Sequence, residues 1–274
     1  MRKAEEIRRA PIGIFDSGVG GLTVAVEIMR QMPRESIVYF GDTARVPYGS
    51  KSKDTIIKYA RQIINFLKTK EVKAIVIACN TASAYALDTV INENDLPVIG
   101  VIHAGAVQAA RVTNNKRIGV IGTKGTVSSG IYPKFIKDID KGIEVTQKAC
   151  PLLCPLVEEG LMHDNVTDEI ISRYVSELKS KYIDTLVLGC THYPLLKPAI
   201  AKIMGQSVNL VDPAYETALE LSKLLDRYGI KKDSNIKAEY NFYVSDLAES
   251  FQDFASMILP NEVKNTKKIN IEEY

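Results

Sequence analysis

Tryptophan is absent from the 274 residues, and there are only four cysteines, three histidines and a net charge of +2. Each scarcity removes a class of function. With 35 basic residues against 33 acidic ones, no concentrated basic stripe is present, so a nucleic-acid partner is not expected. Few histidines leave little for a zinc site. Cys79 and Cys190 lack ligand spacing, and Cys150 and Cys154 are set in CPLLCP, where flanking prolines spoil a helical ligand pair. No metal is therefore expected. No apolar run approaches the roughly 20 residues of a membrane span, and the opening MRKAEEIRRAP carries both charges without an apolar stretch, so neither a membrane nor a signal peptide is expected. Four cysteines then read as reduced thiols of a cytoplasmic chain. The glycines of DSGVGGLT are followed by no Lys-Ser/Thr, and the G-x-G from Gly18 continues to Thr23; the loop is neither a P-loop nor a dinucleotide fingerprint. No lysine context suggests a pyridoxal Schiff base, and no cofactor is expected.

What is present is a repeat. Short β-forming runs at Ile12–Phe15, Ile37–Phe40, Ala74–Ala78, Val98–Val101, Arg117–Ile121, Ile143–Gln147 and Thr185–Leu188 alternate with amphipathic stretches such as Thr55–Lys68, Ser83–Asn92 and Thr167–Lys179. IGIFDSGVGG from Ile12 is echoed by IGVIGTKGT from Ile118, and KAIVIACNTA with Cys79 by DTLVLGCTHY with Cys190, at nearly equal offsets. Two strand–loop–helix series in the same order predict an α/β fold. It has two similar doubly wound parallel-sheet domains, facing each other across a cleft with pseudo-twofold symmetry. A third region, with helices at Glu216–Tyr228 and Leu247–Met257, a strand near Asn241–Val244 and a polar tail, is too small to bury a core alone and should pack onto one half.

In such sheets ligands bind beyond the carboxyl ends of the strands. Cys79, Cys190, Asp16, Ser17, Asp42 and Thr123 all fall there. A lone cysteine ending a strand is usually a small buried hydrophobe; two at matching places, each followed by polar side chains, suggest a thiol on either face of one small molecule. Asn80, Thr81 and Thr191 can bond a carboxylate while the thiols bracket the carbon beside it. That arrangement suits removing a proton from one face and returning it to the other. His192 could orient Cys190 or lower its pKa, or be a core histidine bonded to backbone; Asp16 is the analogous neighbour of Cys79. Pro47-Tyr48-Gly49 is either a buried tyrosine cap or a substrate clamp. His103 and His163 read as structural or exposed, and Glu158 and Glu159 as a solvated face.

At these residues the chain resembles the glutamate racemases of the aspartate/glutamate racemase superfamily. IGIFDSGVGGLTV, YFGDTARVPYGSKS, IACNTASA, GVIGTKGT, CPLLCPLVEEG and LGCTHYPLL match in order, and VNLVDPAYETA extends the likeness. The resemblance implies cofactor-independent interconversion of L- and D-glutamate, supplying D-glutamate for peptidoglycan. It implies that residues 211–274 return to complete a first domain begun by residues 1–101, with residues 102–210 forming the second. Cys79 would be the base for D-glutamate and Cys190 the base for L-glutamate. Asp16 matches the acid beside the first thiol, and Glu158 and His192 the helpers of the second. Asp16, Ser17, Pro47, Tyr48, Gly49, Asn80, Thr81, Thr123, Thr191 and His192 fall on substrate-contacting positions. A homodimer is the expected assembly. Cys154 departs from the family, where an aliphatic residue is usual, and is expected only to pack. Only the short Met1–Pro11 segment precedes the first motif, so activation by a cell-wall precursor, which goes with a long extension, is not expected. An aspartate racemase or a closing amino-acid binding protein remains the rival reading.

Overall fold

In the computed structural model, residues 2–233, 236–246, 248–259, 263 and 266–274 are described. Ten strands are present among them: β1 Ile12–Asp16, β2 Ile37–Gly41, β3 Ala74–Ile77, β4 Val98–Gly100, β5 Arg117–Gly122, β6 Glu144–Ala149, β7 Thr185–Gly189, β8 Asn209–Val211, β9 Tyr240–Val244 and β10 Thr266–Lys268. They form two sheets, ordered β10-β9-β2-β1-β3-β4 and β6-β5-β7-β8, and every neighbouring pair is parallel. The inner order of the first sheet, 2-1-3-4, is repeated in the second as 6-5-7-8, so the sequence echo is an echo of topology. Strands β1, β2, β3, β4 and β7 are buried along their whole length, as parallel strands covered on both faces must be. Edge strand β6, with its polar EVTQKA, is partly exposed.

Each sheet has its own outer core. Helices Lys53–Lys68 and Asn80–Asn92 bury Ile56, Ile63, Leu67, Ala86 and Val90 against Phe15, Phe40 and Ile77 of the first sheet. Helices Asn165–Ser180 and Lys197–Met204 bury Ile171, Val175, Leu178 and Ile200 against Leu186 and Leu188 of the second. A third cluster joins the halves. Helices Leu22–Gln31, Val101–Val112 and Pro213–Arg227 share one apolar core with Ile14 and Val76 from one sheet and Val120 and Val187 from the other. Helix starts follow their caps: Ser52, Asp164 and Asp212 each accept a hydrogen bond from a first-turn N–H.

Several sequence boundaries shift. The strands expected at Ala74–Ala78 and Val98–Val101 stop short, because Cys79 and Gly100 are already the caps of the helices that follow. The strand expected at Ile143–Gln147 spans Glu144–Ala149. The helix expected from Ser83 starts at Asn80, so Asn80 and Thr81 occupy its first turn. The polar tail contains β10, which extends the first sheet beside β9, and β8 closes the second. The last helix spans Ala248–Ile258, and Leu247, its expected start, lies outside the described residues. Among the described residues no helix is long and apolar enough to cross a membrane.

Candidate active site

From the carboxyl ends of the paired strands β1 and β3 the chain leaves in opposite directions, toward β2 and toward β4, and from β5 and β7 likewise toward β6 and toward β8. These are the two topological switch points, where doubly wound sheets bind ligands. The two crevices face one another and enclose a cavity of about 350 Å³. Ser17, Gly18, Cys79, Asn80 and Thr81 come to it from the first sheet; Thr123, Lys124, Cys190, Thr191 and His192 come from the second. The loop Val46–Ser50 closes one side and Pro151, Cys154, Pro155 and Glu158 another.

Cys79 caps the helix Asn80–Asn92: its Sγ accepts the Ala82 N–H at 3.5 Å and its thiol points to Ser17 Oγ at 3.6 Å. The positive end of that helix therefore faces the cavity. Asn80 is buried, with Oδ1 held by the Tyr132 hydroxyl at 2.8 Å. This anchor is supplied by the other half, and it aims the Asn80 amide donors elsewhere. The hydroxyls of Thr81, Thr123 and Thr126 form a triangle with sides of 2.8, 3.1 and 3.3 Å, also spanning the halves.

Around the second thiol, Cys190 Sγ lies 3.8 Å from His192 Nδ1, and His192 Nε2 lies 2.9 Å from Glu158 Oε1. Glu158 thus serves His192 although its side chain is 44% exposed, so the solvated face expected of it is only half its role. Cys154 does more than pack, contrary to expectation: its Sγ lies 3.4 Å from Cys190 Sγ. The prolines on either side of it do not prevent a helix. Pro155 falls in the first turn of Leu153–Glu158, where the missing N–H has no intrahelical partner to lose. Cys150 turns away, its thiol on the Lys148 carbonyl.

Asp16 does not line the cavity. It is fully buried beneath it, accepting Gly18 N–H at 2.9 Å and the Thr191 hydroxyl at 3.5 Å. It acts on Cys79 through its charge, while Ser17 makes the contact. Tyr48 is buried and donates its hydroxyl to Asp42, so it offers the cavity its ring and backbone. Asp42, grouped by sequence with the strand-end chemistry, instead accepts Arg45 Nε at 2.7 Å and Ser245 Oγ at 2.8 Å and acts as a buried brace. Tyr132 and Thr126 escaped the sequence reading; nothing in their local pattern marks them, since their role lies across the interface between halves.

The resting electrostatics keep both thiols protonated. Burial, then the charge of Asp16, pushes Cys79 up to about 12 against the pull of Ala82 N–H and Ser17. Cys190 is raised well above the usual thiol range by Cys154 and by burial, with His192 opposing. Burial would lower His192, but its contacts with Cys190 and Glu158 prevail and lift it to about 10. Burial also raises Asp16, partly countered by His192 and by backbone N–H groups.

The halves meet closely. A Cβ on Gly20 would stand 2.5 Å from both His192 Nδ1 and Thr191 Oγ1, and one on Gly49 would stand 2.7 Å from Thr123 Cβ. Thr23 Oγ1 also reaches the Thr191 carbonyl at 3.1 Å. Glycine at position 20 is thus what lets the first half touch the helpers of the second thiol.

Comparison with known proteins places this arrangement. Residues 21–221 match the family Asp/Glu/Hydantoin racemase. The chain is 48% identical to a glutamate racemase from Thermoanaerobacter sp. (strain X514), across 96% of this chain and 98% of that one. Among solved structures it is similar to a glutamate racemase isoform from Bacillus anthracis, with a TM-score of 0.92 and 41% identity over 96% of this chain and 98% of that one. A glutamate racemase from Francisella tularensis subsp. tularensis SCHU S4, solved in complex with D-glutamate, is similar with a TM-score of 0.91 and 39% identity over 97% of this chain and 100% of that one. By sequence and by fold, the chain belongs to the Asp/Glu/Hydantoin racemase family and groups there with the glutamate racemases.

Proposed function

We propose that the chain interconverts L- and D-glutamate by exchanging the Cα proton between two thiols, with Cys79 the base for D-glutamate and Cys190 the base for L-glutamate. The observation that carries this reading is the placement of the two cysteines. They occupy equivalent positions after β3 and β7, at facing switch points, on the wall of one cavity. A planar, carbanion-like intermediate held between them takes a proton from either side.

Acid–base catalysis of this kind supplies about 10²–10⁴-fold; the remainder rests on positioning and on donors for the charge that grows on the α-carboxylate. Asn80, Thr81 and the helix N-terminus at Cys79 are suited to that charge, with Thr123 and Thr191 facing them. Glu158 and His192 hold the second thiol, and Asp16 fixes Thr191 and the Ser17–Gly18 turn. Closure of the halves, residues 1–101 with 211–274 against residues 102–210, would exclude water and limit loss of the abstracted proton. The product fits a cytoplasmic role in supplying D-glutamate to peptidoglycan.

The test is incubation of the pure protein with L-glutamate in D₂O without added cofactor, following circular dichroism and Cα deuteration together, with L-aspartate alongside. Loss of optical signal as deuterium enters the D-product is expected for glutamate. Cys79→Ser and Cys190→Ser should each cripple turnover while glutamate binding survives; near-normal turnover in either sinks the two-thiol assignment.

A further inference from the structure

We propose that Cys154, Cys190 and His192 form a site for a thiophilic divalent cation, Zn²⁺ above all, and that its occupation switches the enzyme off. The two Sγ atoms are 3.4 Å apart, Cys190 Sγ is 3.8 Å from His192 Nδ1, and all three donor atoms lie within 4.8 Å of one another. A tetrahedral zinc with bonds of about 2.3 Å to sulfur and about 2.0–2.1 Å to nitrogen spaces its donors roughly 3.5–3.8 Å apart. Only small movements are needed to bring these three onto one ion. Among the described residues no other His, Cys, Asp or Glu group is gathered in this way.

The surroundings suit a metal as well as the donors do. His192 would ligate through Nδ1, and its Nε2–H would donate to Glu158 Oε1 at 2.9 Å. A carboxylate behind the ring is the usual support of a zinc-bound histidine, fixing its tautomer and strengthening it as a ligand. Binding releases the two thiol protons to solvent. All three ligands line the cavity, so the fourth position is open to water or to a substrate carboxylate. The sequence pattern hides this site, because one of its ligands, Cys154, stands on a short helix far from the others in the chain.

The inhibitory part rests on the reading of Cys190 as a base: a thiolate bound to zinc cannot take a proton from Cα. Binding and inhibition are therefore measured separately. The reduced full-length protein, kept with a phosphine reductant, is dialysed against Zn²⁺ and its metal content determined. One zinc per chain is expected, and Co²⁺ in its place should give a thiolate-to-metal charge-transfer band. Zn²⁺ should abolish racemisation, and EDTA should restore it.

Cys154→Val should lose the bound zinc and raise the half-inhibiting Zn²⁺ concentration by about 100-fold, the upper end of what even indirect support of a ligand is worth. Cys154→Ser, close in volume, should behave likewise. Retention of stoichiometric zinc by both variants, or no stoichiometric zinc on the unaltered chain, overturns the site. Inhibition by Zn²⁺ that EDTA fails to reverse would also overturn it, since an ion held at an open site of three ligands is given up to a chelator. Stoichiometric zinc with undiminished racemisation would refute Cys190 as the base and leave the metal site standing.

Discussion

Tyr132→Phe isolates one oxygen atom in the machinery. The Tyr132 ring is fully buried, and its hydroxyl meets Asn80 Oδ1 at 2.8 Å across the interface between halves. Phenylalanine keeps the ring and its packing, so the change removes only the donor. The acceptor it leaves behind belongs to a buried residue, and among the described residues no second hydrogen bond reaches that oxygen. An orphaned buried acceptor costs about 1–3 kcal/mol, which for a chain of this size is roughly 2–6 °C in melting temperature. The catalytic loss follows from the same geometry. With Oδ1 unheld, the Asn80 amide is free to rotate, and its donors are no longer fixed toward substrate. Loss of one oriented neutral hydrogen bond, about 0.5–1.5 kcal/mol, lowers kcat/KM roughly 2- to 12-fold. Thermal melts and racemisation followed from both glutamate enantiomers measure the two effects. A double-mutant cycle with Asn80→Ala separates them from general damage: Tyr132→Phe should cost little more once Asn80 is gone. A Phe variant matching the parent in melting temperature and in kcat/KM, or one whose losses add fully to those of Asn80→Ala, would refute the positioning role.

Gly20→Ala places a methyl group 2.5 Å from His192 Nδ1 and Thr191 Oγ1; the halves must part or His192 must turn, and a displacement of about 1 Å should cost about 10²-fold in kcat, with steady-state rates near the parent's counting against the close fit. Lys73→Met strips the partner from buried Glu35, whose carboxylate meets Lys73 Nζ at 2.5 Å, and should destabilise the chain by about 3–5 kcal/mol; denaturant unfolding within about 1 kcal/mol of the parent would contradict it. With Cys79 pushed up to about 12 from 9.0 by burial, its thiolate fraction at pH 8 is lower by about 10³-fold. Alkylation of the resting enzyme, mapped by mass spectrometry, should therefore leave Cys79 nearly untouched at pH 8 and accelerate as pH rises toward 12, and rapid labelling at pH 8 would disprove the shift.

The parts of the site legible in the sequence are those at strand ends. Cys79, Asn80, Thr123 and Cys190 each follow a run of β-formers, and a parallel sheet obliges such residues to gather along one edge, whatever the helices do. What the pattern could not show is what crosses between halves. Tyr132 and Thr126 act on Asn80 and Thr81 over long separations in the chain, and neither has a local signature. Cys154 was obscured by its prolines, which break a helix interior but are harmless in a first turn. Strands β8 and β10, three residues each and partly exposed, carry no alternation of their own. They exist because β7 and β9 offer an unpaired edge, which is a property of the sheet and not of the segment.

The same division explains where the catalytic charge must come from. At pH 7 a thiol held near 12 is disfavoured as a thiolate by about 7 kcal/mol, and Asp16 beneath it makes the thiolate harder to form. On the other side Cys154 and burial outweigh His192. The side chains of the cavity by themselves therefore provide helpers but no ready base. An α-amino acid brings an ammonium group beside its Cα, within reach of whichever thiol faces it, and a cation at such a distance in a site closed to water is worth several kcal/mol. On the proposed two-thiol mechanism, binding would supply the charge that makes the base. Buried, high-pKa thiols are then a safeguard, since a resting enzyme with two free thiolates would be open to oxidants and metals. On the Cys190 side Cys154 reinforces that protection by raising the thiol, even as its sulfur, 3.4 Å away, adds the second donor that a metal would need.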